Sequence, residues 1–144
     1  MRPELVILIL NYRTAQMTLD CLASLEGEIP RSTRVVVVDN ASGDGSAERI
    51  EEGITERGYG DWASVLRSPV NGGFAAANNF GIRAIDADAY VLLNSDTIVR
   101  PGVMAGLLEA SRRHPEAGLV APGMVDGDGQ FDQINFELVE DSLA

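Results

Sequence analysis

Unbroken runs of leucine and β-branched residues, each followed by a helix-spaced stretch, leave this chain few folds to choose from. Leu5–Leu10 is apolar at every position, the pattern of a strand covered on both faces. Ala15–Leu25 follows, with Met17, Cys21, Leu22 and Leu25 at helical spacing. Val35–Val38 predicts a second buried strand, Ser46–Arg57 an amphipathic helix through Ile50 and Ile54, and Trp62–Leu66 a weaker third strand. A helix over Gly73–Ile85, a strand over Ala89–Leu93 and a helix from Pro101 to about Arg113 continue the alternation. Gly118–Pro122 is expected to be a fifth strand, and Asp126-Gly127-Asp128-Gly129 a turn. Strand–helix repetition of this kind implies an α/β fold, a mostly parallel central sheet with helices on both faces. With 144 residues and no repeat or linker, one domain over 1–144 is expected.

In such sheets ligands collect at the carboxyl ends of the strands. The polar residues that interrupt the apolar runs fall there: Asn11 and Tyr12 after the first, Asp39 and Asn40 after the second, Asn94-Ser95-Asp96 after the fourth. Three such clusters on neighbouring strands predict one site. Asp39 is expected to accept hydrogen bonds from a nucleobase or ribose, while Asp44 or Ser46 caps the next helix. Asp96 has two readings, a ligand to Mg²⁺ or Mn²⁺ or an Asx turn that bonds nearby backbone. In Asn71-Gly72-Gly73-Phe74, paired glycines before a helix let backbone approach a ligand. Asn78 and Asn79 form helix poorly, so a hydrogen-bonding duty is expected of at least one. Gly81 is expected to allow close packing on the sheet.

Charge narrows the function classes. The net charge is −11, with eleven basic residues against twenty-two acidic ones, which offers little basis for the basic face that nucleic acid needs; that all eleven are arginine reads as a compositional or salt-adaptation bias. An acidic chain that binds a diphosphate needs a cation or oriented N–H groups to offset repulsion. No apolar run reaches the roughly 18 residues of a membrane span, so cytoplasmic location is expected, with room for peripheral membrane association. The single cysteine, Cys21, sits among leucines and reads as a packed thiol.

Several motifs fail on inspection. Gly43-Asp44-Gly45 would need a third glycine at position 48 to be a dinucleotide fingerprint, and Glu48 stands there. Asp126–Asp132 lacks the closing glutamate of a calcium loop, no G-x-S-x-G marks a hydrolase elbow, and His114 sits at a helix end before Pro115. A nucleotidyltransferase would carry glycine in its first loop, but Asn11-Tyr12-Arg13-Thr14 has none.

Four stretches together resemble the family 2 glycosyltransferases, especially the rhamnosyltransferase-like branch. They are Val6–Tyr12, Val36–Ser42, Asn71–Asn79 and Leu92–Thr97, in the family's order. The resemblance implies a GT-A type fold, C-terminally truncated, whose N-terminal part binds a nucleoside-diphosphate sugar, UDP- or dTDP-linked. Tyr12 would lie against the base and Asp39 would bond its polar edge, with Asn11 beside them. Asn94-Ser95-Asp96 would stand at the family's D-x-D motif, with Asn94 replacing the first carboxylate and Asp96 kept as the ligand to a divalent metal. Asn71, Gly73 and Asn79 would line the sugar-nucleotide pocket. Inverting transfer to a saccharide or lipid-linked acceptor would need a carboxylate base; Glu140-Asp141 resembles the family's acidic pair, against the alternative of a solvated tail. Outside catalysis, the alternative is an incomplete binding or assembly module.

Overall fold

The expected alternation is realised in a computed structural model that describes residues 2–130. Its elements are β1 (Leu5–Asn11), α1 (Ala15–Leu25), β2 (Thr33–Asp39), α2 (Ser46–Glu56), β3 (Ala63–Arg67), α3 (Phe74–Ala84), β4 (Ala89–Asn94) and α4 (Val103–Arg113). The four strands form one parallel sheet in the order β3-β2-β1-β4. By contacts the chain divides into two compact units, Met1–Gly106 and Leu107–Ala144, and the sheet lies in the first.

β1 and β2 are continuous apolar runs because both of their faces are covered. Val6, Leu8, Val36 and Val38 share a core with Ala77 of α3. Successive side chains of a strand point to opposite faces, so Ile7, Ile9, Val35 and Val37, all fully buried, meet the layer of α1 and α2. Gly81 earns its place on α3: a β-carbon there would stand 2.9 Å from Leu8 Cδ2 and 3.0 Å from Val38 Cγ2. Cys21 is the packed thiol expected, fully buried, with burial as the first cause and the charge of Asp96 as the second pushing it up to about 12.

One expected element is corrected. Gly118–Pro122 forms no strand among the described residues. Leu119 is 86% exposed, and an apolar run without a neighbouring strand or a face to bury gains nothing from extended pairing. Among the described residues no helix is long and apolar enough to cross a membrane.

Candidate functional site

Parallel pairing brings the polar strand ends into one row. Asn11 is in register with Asp39, Asp39 with Arg67, and Leu10 with Asn94. Asp39 and Asp96 therefore stand on the same edge of the sheet, with β1 between the strands that carry them. Two steps of the ladder put β2 and β4 themselves about 10 Å apart.

The centre of the row is buried and fully polar. Asn11 is 0% exposed and Asp39 5%. Asn11 Nδ2 donates to Asp39 Oδ1 at 2.8 Å and to Ser42 Oγ at 3.3 Å. The Ser42 hydroxyl donates to Asp39 Oδ1 at 2.6 Å, and its backbone N–H donates to Oδ2 at 3.2 Å. Oδ1 thus accepts two hydrogen bonds and Oδ2 one, which leaves Oδ2 a lone pair. Asn11 Oδ1 accepts from the hydroxyls of Thr18, at 2.8 Å, and Thr14, at 3.1 Å. Thr14 Oγ1 in turn lies 2.9 Å from Ser95 Oγ, on the Asn94-Ser95-Asp96 tip.

Two loops frame this centre in conformations that non-glycine residues rarely adopt. Arg13 has φ 56° and Ala41 φ 55°. The first is held by Ser42, whose Oγ accepts the Arg13 N–H and whose carbonyl accepts Nε, each at 3.0 Å. Tyr12 is 41% exposed, with the Arg13 guanidinium 5.1 Å from its ring centre.

A cavity of about 390 Å³ opens beside Asp39, lined also by Ala41, Gly45, Glu48, Arg67 and Ser68. Arg67 brings no free charge to it. Nη1 pairs with Glu48 at 2.7 Å, Nη2 with Glu51 at 2.7 Å, and Nε reaches Glu51 at 3.4 Å. Glu48's own backbone N–H, and after it Arg67, hold the Glu48 carboxyl below its ordinary range. The cap expected of Asp44 or Ser46 is corrected: Gly45, in the left-handed region at φ 84°, is the N-cap of α2 and leaves it without a side-chain cap bond. Asp44, one residue earlier, accepts the Ser46 N–H and hydroxyl, and the hydroxyl chiefly lowers its carboxyl.

The other predicted residues divide. Asn71 Oδ1 accepts from Asn40 Nδ2 at 2.9 Å and from the Gly73 N–H at 3.0 Å, which ties the glycine loop to the end of β2. Gly73 has φ 87° and ψ 179°, open only to glycine. Asn78 is buried and bonds the Phe74 carbonyl within α3, so its duty is local. Asn79 is exposed and shares no hydrogen bond with the cluster. Asp96 is also exposed, and among the described residues its carboxylate makes no hydrogen bond or ion pair, so the Asx turn is not formed. Asn94 is exposed, with its carbonyl accepting the Thr97 N–H at 3.2 Å. Glu140 and Asp141 lie outside the described residues.

A divalent cation would find few side chains to hold it here. Among the described residues no three His, Cys, Asp or Glu side chains gather to hold one. A hard cation bound through one or two carboxylates, with phosphate and water oxygens completing its shell, needs no such cluster. The unengaged carboxylate of Asp96 fits that mode alone.

Sequence reasoning passed over Thr14, Ser42, Ser95 and Arg67 as functional. Thr14 and Thr18 follow Asn11 by three and seven residues, and the start of a helix directly after a strand was the available signal.

The family model described as Glycosyl transferase family 2 matches residues 6–137. A comparison with curated proteins finds no match. Among solved structures, the mannosyltransferase PcManGT from Pyrobaculum calidifontis, in complex with GDP-Man and Mn2+, is 22% identical, covers 77% of this chain and 33% of that one, and gives a TM-score of 0.68. S. aureus TarS 1-349 is 18% identical over 86% of this chain and 39% of that one, with a TM-score of 0.63. Its complex with UDP-GlcNAc is 18% identical over 85% and 37%, with the same TM-score, 0.63. These likenesses show a GT-A fold, and the chain spans 33% to 39% of those three chains.

Proposed function

The chain belongs to glycosyl transferase family 2, and on that premise we propose that it is the donor-binding part of an inverting, metal-dependent glycosyltransferase. The donor is a UDP- or dTDP-sugar, and the acceptor a saccharide or lipid-linked hydroxyl in cell-surface polysaccharide synthesis. The subtype is rhamnosyltransferase-like, and the setting is the cytoplasm or its membrane surface.

One observation carries the reading: the buried Asp39 carboxylate beside a cavity, with a single acceptor lone pair left. A carboxylate accepts only, so it selects a base with an N–H at the contacting position. Uracil and thymine present one imino N–H, which matches one lone pair. Guanine presents a ring N–H and an amino N–H side by side, one donor more than the free lone pair takes, and cytosine and adenine present an acceptor at that ring nitrogen. With Arg67 neutralised by two glutamates, the cavity suits the uncharged nucleoside better than the diphosphate. The base lies against Tyr12, and Asn71, Gly73 and Asn79 line the path toward the sugar.

The diphosphate runs along the strand ends toward Asp96, which with the Asn94 tip would hold Mg²⁺ or Mn²⁺. The metal, when bound, offsets the charge gathering on the departing diphosphate. The acceptor oxygen bonds to the anomeric carbon as the bond to the diphosphate oxygen breaks, and a carboxylate, for which Glu140 and Asp141 are the candidates, takes the acceptor's proton.

Calorimetric titration of UDP and dTDP with Mn²⁺ is the test. Binding is expected, and Asp39→Ala should weaken it at least tenfold, in line with a charge-assisted hydrogen bond of about 1.5–3 kcal/mol. No heat with either nucleotide, or indifference to Asp39→Ala, rules the reading out.

A further inference from the structure

Four side chains form an unbroken hydrogen-bonded line along the sheet edge. It runs from Asp39 Oδ1 to Asn11 Nδ2 (2.8 Å), from Asn11 Oδ1 to Thr14 Oγ1 (3.1 Å), and from Thr14 Oγ1 to Ser95 Oγ (2.9 Å). We propose that Thr14 is a positioning residue whose hydroxyl couples the carboxylate of Asp39 to the tip that carries Asp96. The inference rests on the reading of Asp39 as the base contact and Asp96 as the metal ligand.

Proton counting gives the line a direction. Asp39 accepts and cannot donate, so the Asn11 amide must turn its NH₂ toward Asp39 and its oxygen toward the threonines. Thr14 has one proton and gives it to that oxygen. The Thr14–Ser95 contact must then run from the Ser95 hydroxyl to Thr14 Oγ1. One charge thus orients three hydroxyls and an amide, counting Thr18, whose hydroxyl also bonds Asn11 Oδ1. A base N–H on the free lone pair of Oδ2 withdraws charge from Oδ1 and weakens the first link, and linked hydrogen bonds pass such polarisation along.

The tip is built to feel it. Beyond the tip the loop is tied to α1 by the Val99 N–H on Ser24 Oγ (3.0 Å), and to the segment after α1 by the Gly102 N–H on Glu28 (2.8 Å). Among the described residues, side chains hold residues 94–97 only through Thr14–Ser95 and a long Cys21 Sγ contact to the Asn94 carbonyl at 3.9 Å. Removing the Thr14 hydroxyl takes away the hydrogen bond that holds the Ser95 side chain, while the pairing of Asn94 with β1 and the far anchors stay.

Thr14→Val removes the hydroxyl and keeps the shape; Thr14→Ser restores it. In ¹⁵N spectra, uridine, which has no phosphate to touch the tip, should move the amides of both Ser42 and Ser95 with one saturation curve. In Thr14→Val only Ser42 should respond, and Thr14→Ser should behave as the parent. Half-saturating Mn²⁺ at saturating UDP should rise about fivefold in Thr14→Val, the worth of one hydrogen bond, and return in Thr14→Ser, with equal melting temperatures. A Ser95 amide that follows uridine equally in Thr14→Val overturns the coupling. If uridine moves neither amide in the parent, the base reading fails instead, and a ligand-free arm decides the coupling. Asp39→Asn lets the Asn11 amide turn over and should displace the Ser95 amide, but not when Thr14→Val is also present. An equal displacement in both backgrounds refutes it. Should Asp39→Asn fail to fold, the Mn²⁺ comparison of the two Thr14 variants decides, and no rise in Thr14→Val counts against the proposal.

Discussion

Asn11→Asp puts the buried centre to a quantitative test. Nδ2 of Asn11 stands 2.8 Å from Asp39 Oδ1, and the two residues are 0% and 5% exposed. The substitution sets a second carboxyl in that place with almost no change of shape. Two ionised carboxylates at about 4 Å repel by about 4 kcal/mol at an effective dielectric near 20. The pair escapes by holding one proton between its members. Holding it at pH 7, against an unfolded aspartate value near 3.9, costs about 1.4 kcal/mol per pH unit, or about 4 kcal/mol over three units. Both routes give the same figure, a large part of the roughly 5–15 kcal/mol that stabilises a domain. At low pH the acid replaces the amide well: its O–H donates to Asp39 and its carbonyl accepts from Thr14 and Thr18. The folded pair binds the proton more tightly than the unfolded chain does. Its penalty is therefore absent below the unfolded value near 3.9 and grows as pH rises. Urea unfolding of both proteins, followed by the fluorescence of Trp62, should show a difference near 4 kcal/mol at pH 7 that falls by about 1.4 kcal/mol per unit toward pH 4. A difference independent of pH, or below about 1 kcal/mol at pH 7, would refute the placement of the Asn11 amide against the buried Asp39 carboxyl group.

Further outcomes follow from the packing and the charges. Gly81→Ala should destabilise by about 1–2 kcal/mol in chemical denaturation, since crowding of Leu8 and Val38 outweighs the gain of about 1 kcal/mol in helix propensity. Gly106→Ala, where a β-carbon meets nothing within 4 Å, should instead stabilise by up to about 1 kcal/mol. Cys21 should resist a thiol reagent in the native protein and react at once in urea, because burial raises its thiol to about 12. Asp44 and Glu48 are held below their ordinary carboxyl values, so the stability they add is present above about 4.5 and drains away as pH falls below it. Combining Asp44→Asn with Glu48→Gln should flatten that acid limb in thermal melts.

What could be read before folding was whatever a single run of residues displays. Leu5–Leu10 and Val35–Val38 are apolar throughout because helices cover both of their faces, and that is visible without a structure. Asn11 and Asp39 stood out because each ends such a run, and the parallel register then placed them side by side. Gly81 was legible as a small residue on a helix that must approach a sheet. Contacts between distant stretches were not legible. Thr14 and Ser95 lie 81 residues apart, and nothing in either segment announces the other. Arg67 was missed because β3 is the weakest strand pattern, and its end was not counted among the polar edges. Gly118–Pro122 has strand composition, but composition cannot supply a pairing partner.

The left-handed backbone at Arg13 and Ala41 has a consequence for how the cleft behaves. Neither residue adopts that geometry freely; each gives up roughly 1 kcal/mol to stay there. Arg13 is kept in place by its bonds to Ser42. The rims of the cleft resemble sprung catches more than slack hinges. Loosening Ser42 would release them while the sheet below stayed folded, so the cleft should lose its shape at temperatures where the scaffold still reads as native.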